Sequence, residues 1–364
     1  MNTMTNDKSN KLSLLNKYQS LLIENDRLKN ENKKLKAQLE ALKHPANNIN
    51  EIKQNIIIEN DKEKVSSDIS YQTKYVAAVN QNSSPGEKIK LFMSLFKGRE
   101  NIYAKRWQNK NGKSGYTPAC FNEWKPGICN KPKIKCSECN NKAFEPLNEK
   151  VIEEHLRGNI IAGIYPMCVD ETCYFLAIDF DDEDLPAEAA VHAVWEKDVS
   201  VLRTICTEFD IPFTVERSRS GNGAHVWFFF EEKIPAVLAR KFGSSLLTFS
   251  MSKRHEIKFK SYDRFFPNQD TMPKGGFGNL IALPIQKEAR KKRNSIFIDE
   301  HFKPYSDQWK FLSSIKKLSK NKVERLTAKL SAGTNGNELG ILRKDDDENS
   351  ANASLWDQCC QLKD

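Results

Sequence analysis

The sequence predicts an α+β protein built around antiparallel strands and preceded by a coiled coil. Three stretches carry that expectation. Leucines recur every seven residues in "LLNKYQSLLIENDRLKNENKKLKAQLEALK", the apolar run "CYFLAIDFDDED" breaks into carboxylates, and two apolar runs flank Gly-Asn-Gly in "FTVERSRSGNGAHVWFFFEE". At 364 residues and 39% hydrophobic, the chain can bury one good-sized core with accessory segments. No apolar run reaches membrane-spanning length and the N-terminus is polar, so the expectation is a soluble, cytoplasmic protein without a membrane partner. A net charge of +9 suggests a polyanionic partner, with a merely solvated basic surface as the alternative. Nine cysteines, an odd number without an export signal, point to metal ligands or free thiols rather than disulfides.

Leu14, Leu21, Leu28, Leu35 and Leu42 form the d positions of a coil over 1–44, with Lys11, Tyr18, Asn25, Asn32 and Leu39 at a. Buried asparagine at a fixes register and favours a parallel pair, so a homodimer is expected through this segment. A single amphipathic helix packed on its own domain is the alternative. Pro45 ends the pattern, and 45–85 is polar enough to read as a flexible linker. After "SSPGEK", helical spacing in "IKLFMSLFKGRENIYAKRW" opens a catalytic-sized domain over 86–330, followed by a polar, weakly ordered tail over 331–364.

In a strand, alternate side chains share a face, so Asp179 and Asp181 project together while Phe180 points the other way. Two adjacent carboxylates repel unless a cation lies between them, which suits a hard divalent ion; an acidic surface loop is the plain alternative. In the hairpin, His225, Trp227 and Phe229 share one face and Val226, Phe228 and Phe230 the other, so this strand is expected inside a sheet. The glycine turn opens no helix, which argues against a Rossmann or P-loop site. It can still present an anion site from Arg219, Ser220, Gly221, Asn222 and Gly223 beside His225, with Arg217 nearby. A third carboxylate is expected at Asp263 in "SYDRFF", ahead of Asp270 and Glu256, and Lys274 in "MPKGGFGN" could hold a second phosphate group. The basic stretches "IYAKRWQNKNGK" and "QKEARKKRN" offer Lys105, Arg106, Trp107, Lys291, Lys292 and Arg293 to a nucleic acid, or else to solvent.

Cys120, Cys129, Cys136 and Cys139 lie within 116–144, the last two as CxxC. Four thiolates make a closed tetrahedral zinc site of structural type, and four unrelated thiols are the alternative. Cys168, Cys173 and Cys206 sit in apolar contexts and are expected in the core.

"DFD" at 179–181, then "SRSGNGAHVWFFF", then "SYDRFFPNQDTMPKGGFGNLIALPIQ" resembles the archaeo-eukaryotic primase superfamily. "LFKGRENIYAKRW", "GKSGYTPAC", "IKCSECNNKAF" and "DQWKFLSS" bring the resemblance closest to the primase domain of TOTE conflict systems, over about 88–320. The resemblance implies a primase-like core around an RRM-like antiparallel sheet with a zinc-binding insertion. It further implies template-directed nucleotidyl transfer with Mg2+ or Mn2+ on Asp179, Asp181 and the third acidic residue. His225 would contact the incoming nucleoside triphosphate over a single-stranded template. A helicase-like segment usually follows in that family, which implies a helicase partner. A metal-dependent nuclease and a non-catalytic zinc-containing adaptor are the competing functions.

Overall fold

The computed structural model describes residues 78–182, 193–253, 259–272 and 275–333, together with Asn25 and Lys29, both helical. The rest of the heptad segment, Glu256, Lys274 and the chain beyond 333 lie outside the described residues. Two units divide the chain, Met1–Tyr75 and Val76–Asp364. The second carries every element below.

Helix α1 (Pro85–Leu95) starts where the sequence places the domain. Ser84 caps it by accepting from the Glu87 N–H at 3.3 Å, Glu87 returns the bond to the Ser84 N–H at 2.8 Å, and Pro85 takes the first turn, where no N–H is needed. The ordered domain nevertheless takes in residues that composition places in the linker. Gln81 N–H donates to Asp307, and the Ser313 hydroxyl donates to the Val79 carbonyl.

Strands β1 (Ala104–Gln108) and β2 (Ser114–Pro118) form a hairpin. Next come α2 (Glu149–Arg157), β3 (Ala162–Ile164), β4 (Thr172–Asp181), α3 (Val194–Glu208), β5 (Thr214–Arg217), β6 (Gly223–Pro235), α4 (Ala236–Lys253) and β7 (Tyr262–Phe266). β8 (Ile281–Ala282), α5 (Lys287–Lys291), β9 (Ile296–Ile298), α6 (Gln308–Ser313) and α7 (Lys320–Ala332) complete the described chain. Mixed α and β elements with antiparallel sheets are therefore present. The main sheet has the order β7-β4-β6-β5-β9, every pair antiparallel. Along the chain its first four strands run β4, α3, β5, β6, α4, β7, the βαββαβ order of an RRM-like sheet.

Both faces of this sheet are dry, which is why β6 reads as an unbroken apolar run. Val226, Phe228 and Phe230 join Leu176, Ile178 and Phe180 against Trp195 and Leu202 of α3, Phe242 of α4 and Leu326 of α7. On the other face Trp227 and Phe229 join Phe175, Ala177 and Phe266 against Phe92 of α1, Phe96 just after it and the second sheet. Each such side chain stabilises the fold by roughly 1.5–3 kcal/mol on burial. Cys168, Cys173 and Cys206 are buried, as expected.

The second sheet has the order β2-β1-β3-β8. "NLIALPI", which reads as a full strand, supplies only the two residues of β8. Pro284 lacks an N–H for a ladder, and its carbonyl is bonded by the ring of buried His155 at 3.0 Å. Upstream, Asn279 turns aside to donate to the Phe265 carbonyl at 2.8 Å.

Candidate active site

The end of β4 lies against the start of β6 with Asp181 opposite Gly223 and Asp179 opposite His225. Glycine is required there: a Cβ on Gly223 would run into the Phe180 carbonyl oxygen. Cross-strand pairing brings His225 Nε2 to 3.4 Å from Asp179 Oδ1. On the other side of β4, the register with β7 passes from Ile178–Phe265 to Phe180–Tyr262. Two residues of β7, Asp263 and Arg264, thus oppose the single residue Asp179, a bulge that re-aims side chains. Arg264 Nε bonds Asp263 at 2.8 Å.

Neighbouring groups fix the strand end. Asp181 N–H donates to the Ser261 carbonyl at 2.7 Å, and Ser261 itself donates from its hydroxyl and its N–H to buried Asp198 of α3. Asp182 turns away from the pair and caps α3, accepting from the Val194 N–H at 2.8 Å.

Glu216, which no sequence motif marks, lies opposite His225 on β5 and is 1% exposed. One carboxylate oxygen accepts from Trp227 Nε1 at 3.0 Å and meets His225 Nδ1 at 3.0 Å; the other accepts from the Ser295 hydroxyl at 3.2 Å. His225 is held between two carboxylates as a result. Burial would lower its pKa, but Asp179 and Glu216 outweigh burial and push it up to about 9. Burial, with repulsion from Asp263 and Asp181, pushes the Asp179 carboxyl up to about 6 against the pull of His225. Asp181 and Asp263 therefore lie near enough to Asp179 to repel its charge, a repulsion that a cation among them would relieve.

The glycine turn is more self-contained than an anion cradle needs. Its Ser218, Gly221 and Asn222 N–H groups bond within the hairpin, and Asn294 donates to the Arg219 and Ser220 carbonyls. The segment after α5, with Lys292 and Arg293, therefore abuts the turn, while Lys291 pairs with Glu288 on the helix surface. Arg217 points elsewhere, to the Phe302 carbonyl at 2.8 Å. Arg219 instead lies near Tyr116 of β2 and Arg106 of β1, and each of the two side chains feels its charge; Arg106 faces Tyr116 across the hairpin. Lys105 and Trp107 alternate onto the opposite face. Asp270 pairs with buried Arg240 of α4.

Cys120, Cys129, Cys136 and Cys139 line one cavity, with Glu123, Lys131 and Phe144 among its walls. The Ala143 N–H donates to Cys120 Sγ at 3.4 Å, and burial raises the pKa of the Cys136 thiol against the pull of the Lys131 charge. Such a donor set fits zinc. Among the described residues, no group of three or more His, Cys, Asp or Glu side chains is gathered so that it could hold a metal ion. No helix among them is long and apolar enough to cross a membrane.

No curated protein matches the chain. Among solved structures, the polymerase domain from Mycobacterium tuberculosis Ligase D in complex with DNA is 12% identical, covering 72% of this chain and 93% of that one. Its TM-score of 0.31 is too low to carry an argument. The family described as the TOTE conflict system, Archaeo-Eukaryotic Primase domain, matches residues 87–326, a span that takes in the paired β4 and β6 ends and the cysteine loop, and the chain belongs to that family.

Proposed function

We propose that this protein is a template-directed nucleotidyltransferase, a primase-polymerase that lengthens a nucleic-acid chain on a single-stranded template. The observation that carries the proposal is the apposition of Asp179 and His225 across the β4–β6 pair in a chain of the primase family. Asp179, Asp181 and Asp263 would hold Mg2+ or Mn2+, which when bound stabilises the attacking and leaving oxygens of an in-line displacement.

His225 contributes a cation at the strand end. Glu216 bonds its Nδ1, and Nε2, which faces Asp179, would contact the β- and γ-phosphates of the triphosphate. Arg219 of the β5–β6 turn, with Arg106 of the second sheet near it, adds positive charge. In the reaction a 3′-hydroxyl oxygen gives up its proton to solvent and forms a bond to the α-phosphorus, the bond to the bridging oxygen breaks, and pyrophosphate leaves. The four cysteines would hold a structural zinc ion, and the heptad segment would tether two such domains.

Asp179→Ala is the direct test. Incorporation of labelled nucleotide should fall by at least about a hundredfold, while affinity for a single-stranded template stays near the parent's. A variant that still incorporates, or that loses template binding to the same degree, would contradict the assignment.

A further inference from the structure

We propose that the cysteine loop and one face of the β1–β2 hairpin form a single binding surface for single-stranded nucleic acid, on which Trp124, Phe121 and Trp107 stack bases while lysines pair with phosphates. The proposal rests on reading the chain as a template-using enzyme and says where the template lies.

Among the described residues six large hydrophobic side chains are exposed, and four of them, Phe121, Trp124, Ile128 and Ile134, fall in this one loop. Trp124 is 65% exposed and Phe121 58%. Trp124 also has φ 58, a left-handed conformation that is uncommon for a bulky residue and tends to accompany function. Hydrogen bonds within the loop tie it down, with Asn122 Nδ2 donating to the Asn141 carbonyl at 2.8 Å and Asn141 Nδ2 to the Ile128 carbonyl at 2.9 Å.

Charge identifies the occupant. Residues 120–144 carry Lys125, Lys131, Lys133, Lys135 and Lys142 against Glu123 and Glu138, and four thiolates on one zinc ion would still leave the loop positive. Lysine is depleted at the centres of protein–protein interfaces, whereas aromatic rings among cations are what a single-strand groove uses.

Lys131 joins the loop to the hairpin. Its ammonium lies 2.6 Å from Thr117 Oγ1 and 2.8 Å from Glu123, and 5.8 Å from the Trp124 ring centre. Thr117 pairs with Lys105, and two residues on Trp107 pairs with Gly115, whose missing side chain leaves room for the indole. The other face of the same hairpin reaches the proposed active site through Tyr116 and Arg219.

The test measures fluorescence anisotropy of a labelled oligothymidylate of about 20 nucleotides with the full chain. Trp124→Gly, chosen because glycine is at ease at that φ, and Phe121→Ala should each weaken binding by about fivefold to a hundredfold, with zinc content and Tm unchanged. Lys105→Gln should reduce the slope of log K against log salt by about 0.7. Ring variants that bind within about twofold of the parent overturn the proposal, and an unchanged salt slope removes the hairpin from it. A parent that incorporates no nucleotide yet binds in a ring-dependent way would sink the proposed function and leave this surface standing. Ring variants that bind and extend like the parent would do the reverse.

Discussion

Replacing Glu216 separates its structural role from its role in orienting His225. The carboxylate is buried and takes up three neighbours: His225 Nδ1, Trp227 Nε1 and the Ser295 hydroxyl. Glu216→Ala strands the Trp227 N–H inside the core, at about 1–3 kcal/mol. It also removes one partner of a buried charged pair, a change that costs about 3–5 kcal/mol. The two effects overlap, so a loss of roughly 4 kcal/mol is expected, against about 5–15 kcal/mol for a whole domain. Glu216→Gln keeps the shape: its oxygen can accept from His225 and Trp227 while its amide donates to Ser295. Urea unfolding should therefore show a loss of only about 1–2 kcal/mol for Gln. In steady-state incorporation, Ala should raise KM for the nucleoside triphosphate more than it lowers kcat, and Gln should restore most of that KM. An Ala variant that is destabilised yet keeps the parent's KM would refute the orienting role, and one with unchanged stability and KM would refute the buried network itself.

His155 gives a pH signature. Burial, opposed by its bond to the Pro284 carbonyl, lowers its pKa from 6.5 to about 4, so the unfolded chain takes up the proton first. Its contribution is whole above pH 6.5 and should decline by up to about 3 kcal/mol as pH falls towards 4. Unfolding measured at pH 7.5 and 4.5 should show a smaller acid loss for His155→Gln, and equal losses would contradict this. Purified protein should carry about one zinc per chain; Cys136→Ser should reduce that content and lower Tm, and zinc-free parent protein prepared under reducing conditions would count against the site.

Strand periodicity made much of this site legible. Alternation correctly assigned Val226, Phe228 and Phe230 to one face and Trp227 and Phe229 to the other, and the glycine turn marked the hairpin. Nearness in sequence was a weaker guide than strand register. Arg217 looked like a neighbour of His225, but it grips the Phe302 carbonyl, whereas a turn centred between Ser220 and Gly221 places Glu216 opposite His225. The basic run Lys105, Arg106, Trp107 read as one patch, although a period of two sends Arg106 to one face and its neighbours to the other. The β7 bulge that sets Asp263 and Arg264 against Asp179 has no local sequence signal, because it arises from pairing between strands some eighty residues apart.

Whether the protein builds chains or cuts them is the central question, and a labelled primer annealed to a single-stranded template answers it. With nucleoside triphosphates and Mg2+ or Mn2+, the parent should lengthen the primer and release pyrophosphate, do neither without triphosphates, and lose both with Asp179→Ala. Primer shortened in the absence of triphosphates would make it a nuclease, and binding without turnover under every condition would make it an adaptor; either result contradicts the account.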